Sequence, residues 1–258
     1  METVTHHGRR TAYEITDRGG DGAPICCVHG SGCSRDLWRF QRTLAAENPV
    51  VALDLSGHGD STDVDATTGY STLSAYADDL LAVVERSDAR ILLGSSLGGA
   101  VVVHALLERD LEVDAAIVTG TGARMGVLDD LLQWLEADFD RAVEFLHQPG
   151  CFFADPDPAL RERSIETMYD CGQAVTRRDF RTCHEFDVRE RLEEIDVPIL
   201  AIYGDGDRLT PPWYHEFLAA EIPDAQAVEI TDAGHLSMLE RPDAFNDAVA
   251  TFLRTDAA

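Results

Sequence analysis

A serine, a histidine and an aspartate at separate places in the chain have the chemistry for acyl transfer. The serine is Ser96, in Gly94-Ser95-Ser96-Leu97-Gly98-Gly99. The apolar run Ile91-Leu92-Leu93 precedes it, and Ala100, Val101, Val103, His104 and Leu107 follow at helical spacing. G-x-S-x-G between a buried strand and a helix predicts a sharp turn with the serine hydroxyl exposed at its apex. Gly94, Gly98 and Gly99 let the backbone pass without steric cost. The helix N-terminus beneath the serine favours developing negative charge. Read more plainly, the stretch is a glycine-rich turn with a bystander serine, so a base, an acid and oxyanion donors must be found elsewhere.

The base is expected at His235. It stands in Thr231-Asp232-Ala233-Gly234-His235-Leu236, a loop at the carboxyl end of the last strand pattern. A neutral imidazole there can take the Ser96 proton. A carboxylate must fix its tautomer, and Gly204-Asp205-Gly206-Asp207 offers two. Asp207 is the choice, because the turn is complete before it; Asp205 is the fallback. Thr119-Gly120-Thr121-Gly122, after another strand pattern, contains no acid. The oxyanion needs two backbone N–H groups, expected from Leu97 and from Ser31 in His29-Gly30-Ser31. His29 then holds its loop, and His58 in Gly57-His58-Gly59 braces a turn. Cys33 either lines the pocket or is a buried bystander. No metal-ligand spacing, no H-E-x-x-H and no P-loop lysine occurs, so neither metal nor cofactor is expected.

These groups converge only if strands and helices alternate. Residues 2–18 read as one or two edge strands. Pro24–Val28, Val50–Leu55, Ala115–Val118, Pro198–Tyr203 and Ala227–Ile230 read as further strands beside the run before Ser96. Helices are expected near Leu37–Leu44, over 72–86, after Ser96, over Trp213–Leu218 and over Ala244–Leu253. Between Gly122 and about Asp196 no strand-like run occurs. Three helical patterns fill that stretch, built on Leu128–Leu135, Phe139–Leu146 and Leu160–Tyr169. The expected organisation is α/β: a core over 1–121 and 197–258 with a helical insertion over 122–196. Such a sheet is mostly parallel, and its ligands sit at the strands' carboxyl ends. Apolar residues of the insertion, Leu131, Trp134, Leu135 and Phe139 foremost, with Phe145, Phe152 and Phe153, are candidates for a substrate pocket or for the insertion's own core. Leu236 beside the histidine joins the pocket candidates.

Composition narrows the class. The chain has 258 residues, with Lys+Arg 21 against Asp+Glu 47, a formal net charge of −26. All the basic residues are arginine; lysine is absent. The acids are dispersed, as in Asp63/Asp65, Asp78/Asp79, Asp129/Asp130 and Asp155/Asp157. Dispersal points to an adaptation of the whole surface, not to one face for a basic partner. It resembles the composition of proteins from salt-accumulating halophiles, whose surface repulsion is screened by salt. Without a basic stripe, nucleic-acid binding is not expected. The six cysteines show no C-x-x-C pairing, so reduced thiols are expected. Adjacent Cys26 and Cys27 in a strand should point to opposite faces. No apolar stretch has the length of a membrane span, and Met1–His7 has no apolar signal core. The expectation is a cytoplasmic protein off the membrane, monomeric or a small homo-oligomer.

The chain order Ser96, Asp207, His235, together with His29-Gly30, Asp54–Ser61, Gly94–Gly99, Gly204–Asp207 and Gly234-His235, resembles the α/β-hydrolase superfamily over about residues 10–254. Within it, the chain looks like single-domain hydrolases with a helical cap after the sixth core strand, such as carboxylesterases and enol-lactonases. The resemblance implies a cap over the site that sets substrate choice, and a serine hydrolase of small, mainly apolar carboxylic esters. A lactonase, a thioesterase, a C–C-bond hydrolase and a weakly catalytic ligand receptor are the other readings. A haloalkane dehalogenase would need an aspartate where Ser96 stands. Ser95 is a departure, since relatives often carry a larger residue there; it would widen the pocket locally.

Overall fold

The apolar runs form one eight-stranded sheet. The computed structural model describes residues 1–255. The strands are β1 (Glu2–His6), β2 (Arg9–Thr16), β3 (Ile25–Val28), β4 (Val50–Leu53), β5 (Ile91–Ser95), β6 (Ala115–Thr119), β7 (Ile199–Gly204) and β8 (Ala225–Ile230). Their order is β1-β2-β4-β3-β5-β6-β7-β8. β2 runs antiparallel to β1 and β4; every later pairing is parallel. β3 through β7 are buried along their whole length. Burial on both faces explains why they read as continuous apolar runs, not as alternations. Cys26 packs into one core cluster and Cys27 into the other, as their adjacency in a strand requires.

Helices cover both faces. They are α1 (Tyr70–Ser87), α2 (Leu97–Glu108), α3 (Asp129–Ala137), α4 (Phe139–Leu146), α5 (Pro158–Cys171), α6 (Gln173–Glu185), α7 (Pro212–Glu221), α8 (Ser237–Glu240) and α9 (Pro242–Thr255). One core holds Leu73, Tyr76 and Leu80 of α1, Val101 of α2 and Leu218 of α7. The other holds Trp38, Phe153, and Phe245 and Val249 of α9. After β3 the chain turns to β4 on one side, then returns to β5 on the other. The carboxyl ends of β3 and β5 are therefore adjacent at a topological switch point, where an open α/β sheet leaves a crevice.

Two expected elements differ. The helix expected around Leu37–Leu44 is two short 3-10 segments, Arg35–Trp38 and Gln41–Ala46. Thr43 Oγ1 donates to the Phe40 carbonyl at 2.9 Å, and the Gln41 side chain donates to the Met238 carbonyl at 3.1 Å. Local side-chain bonds of this kind compete with a regular helix. Between β6 and β7 lie four helices, one more than the apolar patterns indicated. The extra one, α6, buries Thr176, Asp179, Phe180, Thr182 and Cys183. Its inward stripe has helical spacing but is largely polar, so hydrophobic periodicity does not reveal it.

That polar stripe is bonded to the core. Asp179 accepts from Tyr76 Oη at 2.7 Å and pairs with His58 Nε2 at 2.9 Å, all three side chains being fully buried. Burial pulls the His58 pKa down, but the Asp179 carboxylate outweighs it and holds His58 well above its ordinary value. His58 thus does more than brace its own turn: it ties the loop after β4 to α6. Among the described residues only Asp54, Asp79, Asp179 and Asp207 are buried acids. Each has a partner: Asp54 pairs with Arg35, Asp79 with Arg9 at 2.9 Å, and Asp207 with His235. Removing one member of a buried charged pair strands the other, at about 3–5 kcal/mol. Asp179→Ala is therefore expected to lower unfolding stability by about that much in denaturant titrations at matched salt. A loss below about 1 kcal/mol would mean that α6 is held by its apolar contacts alone.

Candidate active site

Close backbone approach shapes the turn at the end of β5. A Cβ at Gly98 would fall on the backbone carbonyl of Val28, and one at Gly94 on that of Gly98. Between them Ser96 adopts φ 54°, ψ −117°, a conformation that a side chain rarely takes and that costs on the order of 1–3 kcal/mol. The surroundings hold it: Ser96 N–H donates to the Thr119 carbonyl at 2.8 Å, and Ala100 N–H donates to the Ser96 carbonyl at 3.1 Å. α2 starts at the next residue, Leu97. The N–H groups of Leu97 and Ser31 have no acceptor among the described residues. Gly30 brings its loop against the serine; a Cβ there would lie 3.1 Å from Ser96 Cβ.

His29 fixes that loop, as expected. Its Nδ1 donates to the Gly30 carbonyl at 2.8 Å while Nε2 accepts the Leu55 N–H at 3.1 Å. Burial, reinforced by the neighbouring His58, lowers the His29 pKa to about 4, so it stays neutral in this bracing role.

Of the two candidate acids, the structure brings Asp207 to the histidine. Asp207 Oδ2 accepts from His235 Nδ1 at 2.9 Å and from Thr210 Oγ1 at 2.6 Å. Its Oδ1 accepts the Leu209 and Thr210 N–H groups at 2.8 and 3.0 Å. Burial would raise the Asp207 pKa, but His235 and the Thr210 bonds outweigh it and the net shift is downward. Asp205 is exposed and accepts the Ala233 N–H at 3.3 Å, bracing the turn. The acid-free turn after β6 has a different task. A Cβ at Gly120 (φ +58°) would lie 2.9 Å from His235 Cε1, so glycine leaves room for the imidazole.

The segment between β6 and β7 is woven into the histidine loop. Leu236 N–H donates to the Phe152 carbonyl at 2.8 Å, and Phe152 stacks on the His235 ring at 5.9 Å and 13°. The Glu240 carboxylate accepts N–H groups from Gly234 at 2.7 Å and from Ala154 at 3.0 Å, joining the two segments.

Ser96, His235, Gly30 and Ser31 line one cavity of about 270 Å³. That is just below the roughly 300–1,000 Å³ of sites for drug-sized ligands. Leu131, Leu236, Phe152 and Cys33 line it as well. Trp134, Leu135 and Phe139 do not: Trp134 packs on Phe145 at 5.3 Å, Leu135 is fully buried in the core, and Phe139 meets Tyr169 at 5.7 Å. On an amphipathic helix, periodicity marks the buried face without naming what it touches. Ser95 is fully buried and absent from the cavity wall, so it widens nothing there. The wall also contains residues that the sequence patterns did not single out: Met125, Phe180, Cys183, Arg208, Thr210 and Tyr214. Only the D-x-x-T spacing of Asp207 and Thr210 was a readable signal among them. Burial foremost pushes the Cys33 and Cys183 thiols up to about 12, so neither is a thiolate at neutral pH.

Residues 27–248 match the model of the alpha/beta hydrolase family, and the chain belongs to that family. It is 26% identical over 235 residues to a pimeloyl-[acyl-carrier protein] methyl ester esterase of Neisseria meningitidis serogroup B / serotype 15 (strain H44/76), covering 86% of this chain and 89% of that protein. A thermophilic esterase of known structure superposes with a TM-score of 0.85 at 28% identity, covering 98% of this chain and 96% of its own. The enol-lactonase from Burkholderia xenovorans LB400 shares the fold, with a TM-score of 0.87 at 22% identity and coverage of 98% and 100%. No helix among the described residues is long and apolar enough to cross a membrane.

Proposed function

We propose that this alpha/beta hydrolase cleaves carboxylic esters of small, mainly apolar substrates through an acyl-enzyme on Ser96. One observation carries the reading: Ser96, at a strained apex, and His235, bonded to the buried Asp207 carboxylate, line the same cavity. In this mechanism His235 takes the Ser96 proton as the hydroxyl attacks the acyl carbon. The Leu97 and Ser31 N–H groups, otherwise without acceptors, receive the oxyanion. His235 then protonates the departing alcohol, and water cleaves the acyl-enzyme with the same base. The esterase relatives support the reaction class. The largely apolar wall supports the substrate class. Residues 122–196 act in this reading as a cap, because Leu128, Leu131, Phe152 and Phe180 contribute to that wall. A fluorophosphonate probe followed by peptide mass spectrometry tests the nucleophile. The expected result is a single adduct on Ser96 with loss of activity; a fully active, unlabelled protein would overturn the reading.

The same proposal includes a chain adapted to concentrated salt in the cytoplasm. Among the described residues all acids but Asp54, Asp79, Asp179 and Asp207 are at least partly exposed, and there their mutual repulsion opposes compaction and is screened by ions. Helical circular dichroism and esterase turnover are expected to rise together as KCl is raised into the molar range. A chain fully folded and active in dilute buffer would contradict the adaptation.

A further inference from the structure

Among the described residues one permanent charge lines the cavity, the exposed Arg208, and no aspartate or glutamate does. In a chain with a net charge of −26, that is an unusual place for an arginine without a partner. Many of the other arginines are tied to acids, as in Arg9–Asp79, Arg90–Asp114, Arg163–Asp36 and Arg189–Asp187. The Arg208 side chain makes no hydrogen bond and no ion pair among the described residues, although its backbone N–H donates to the Gly150 carbonyl at 3.1 Å.

Two features explain why it remains unpaired yet placed. Its sequence neighbour Asp207 is already saturated by the Leu209 and Thr210 N–H groups, the Thr210 hydroxyl and His235. That carboxylate is also buried, so it does not draw the guanidinium back. Gly150 (φ +85°) provides the floor: a Cβ there would lie 2.9 Å from both Cδ and Nε of Arg208 and 3.2 Å from Cζ. The side chain thus lies against glycine backbone contributed by the segment between β6 and β7. Its five donors form a planar fork suited to a carboxylate.

We propose that Arg208 binds a carboxylate carried by the substrate, so that the preferred substrates are hemiesters of dicarboxylic acids. The inference rests on the ester-hydrolase reading and narrows its substrate class. An apolar wall with a single cation suits a molecule whose scissile ester and free carboxylate are joined by methylenes. Arg208 is exposed, and a carboxylate set beside its unpaired guanidinium forms charge-assisted bonds without breaking an existing pair.

The test compares mono-4-nitrophenyl esters of dicarboxylic acids, from succinate to suberate, with the same esters methyl-capped at the free carboxylate. Assays use the lowest KCl concentration at which the chain is folded, so that contact electrostatics are least screened. The wild type is expected to favour the hemiester by about 10–100-fold in kcat/KM at one chain length, as a hydrogen-bonded charge allows. Arg208→Gln is expected to lower that hemiester-to-diester ratio at least about tenfold, chiefly through KM, and Arg208→Lys to restore part of it. A second arm needs no turnover: calorimetry of adipate with Ser96→Ala and with Ser96→Ala/Arg208→Gln, where the second protein should bind at least about tenfold more weakly. Hydrolysis of the capped esters without any hemiester preference, or equal adipate binding by the two proteins, would overturn the role of Arg208 and leave the esterase reading intact. If neither ester type is cleaved, the esterase reading fails, and the calorimetric arm alone decides whether Arg208 holds a carboxylate.

Discussion

Ser96→Ala is expected to lower kcat on an activated ester such as 4-nitrophenyl butyrate by about 10⁵–10⁶-fold. The size follows from chemistry, not from lost packing. Alanine removes one oxygen and leaves the strained turn, the Asp207–His235 pair and the two free N–H groups in place. Cavity binding should persist, so substrate affinity should change little while the acyl-enzyme cannot form. Stopped-flow traces would show this directly, with an initial nitrophenol burst in the wild type and none in the variant. The variant should also escape fluorophosphonate labelling. Residual turnover within about a hundredfold of wild type would exceed what binding and oxyanion donors provide without the nucleophile, and would move the chemistry to another residue. The cavity thiols Cys33 and Cys183 are poor alternatives, because burial keeps both protonated.

The second large effect separates the two aspartates. Asp207→Asn is expected to lower kcat by about 10⁴-fold, whereas Asp205→Asn should stay within about threefold, as surface substitutions do. Asp207 Oδ2 accepts the proton-bearing Nδ1 of His235 at 2.9 Å, which leaves Nε2 free to act as the base. An amide at this site can present N–H instead, which selects the wrong tautomer and leaves no charge to stabilise an imidazolium. Asp205 is exposed and accepts only a backbone N–H at 3.3 Å. The measurement is kcat over pH for both variants, with circular dichroism confirming the fold. The carboxylate adds its own pH limit. Its folded pKa is depressed, so its contribution to stability is present above the unfolded value of about 3.9 and is lost as pH falls through the folded one. Comparable losses in the two variants would show that the histidine is oriented by something other than Asp207.

What the sequence determined by itself was the part governed by local geometry. A buried strand, a glycine-bounded turn and a helix place Ser96 at an apex because Gly94 and Gly98 are the residues that tolerate the backbone contacts there. The doubly buried strands were legible for the same reason: burial on both faces demands an unbroken apolar run. The family followed from such motifs in their order along the chain.

The tertiary structure decided what depends on contacts between distant segments. It brought Asp207, already preferred from the sequence because the turn is complete before it, to His235, and left the fallback Asp205 exposed at the turn. It gave the acid-free turn at Gly120 a role, because room for an imidazole 115 residues later leaves no mark on the local pattern. It sorted the apolar residues of the 122–196 segment, admitting Leu131 and Phe152 to the cavity wall and sending Trp134, Leu135 and Phe139 to packing contacts. It also revealed α6, whose inward face is held by Asp179, His58 and Tyr76. Hydrophobic periodicity reports apolar burial only; a helix held by paired charges and hydroxyls is recognised once its partners, far away in sequence, are seen beside it.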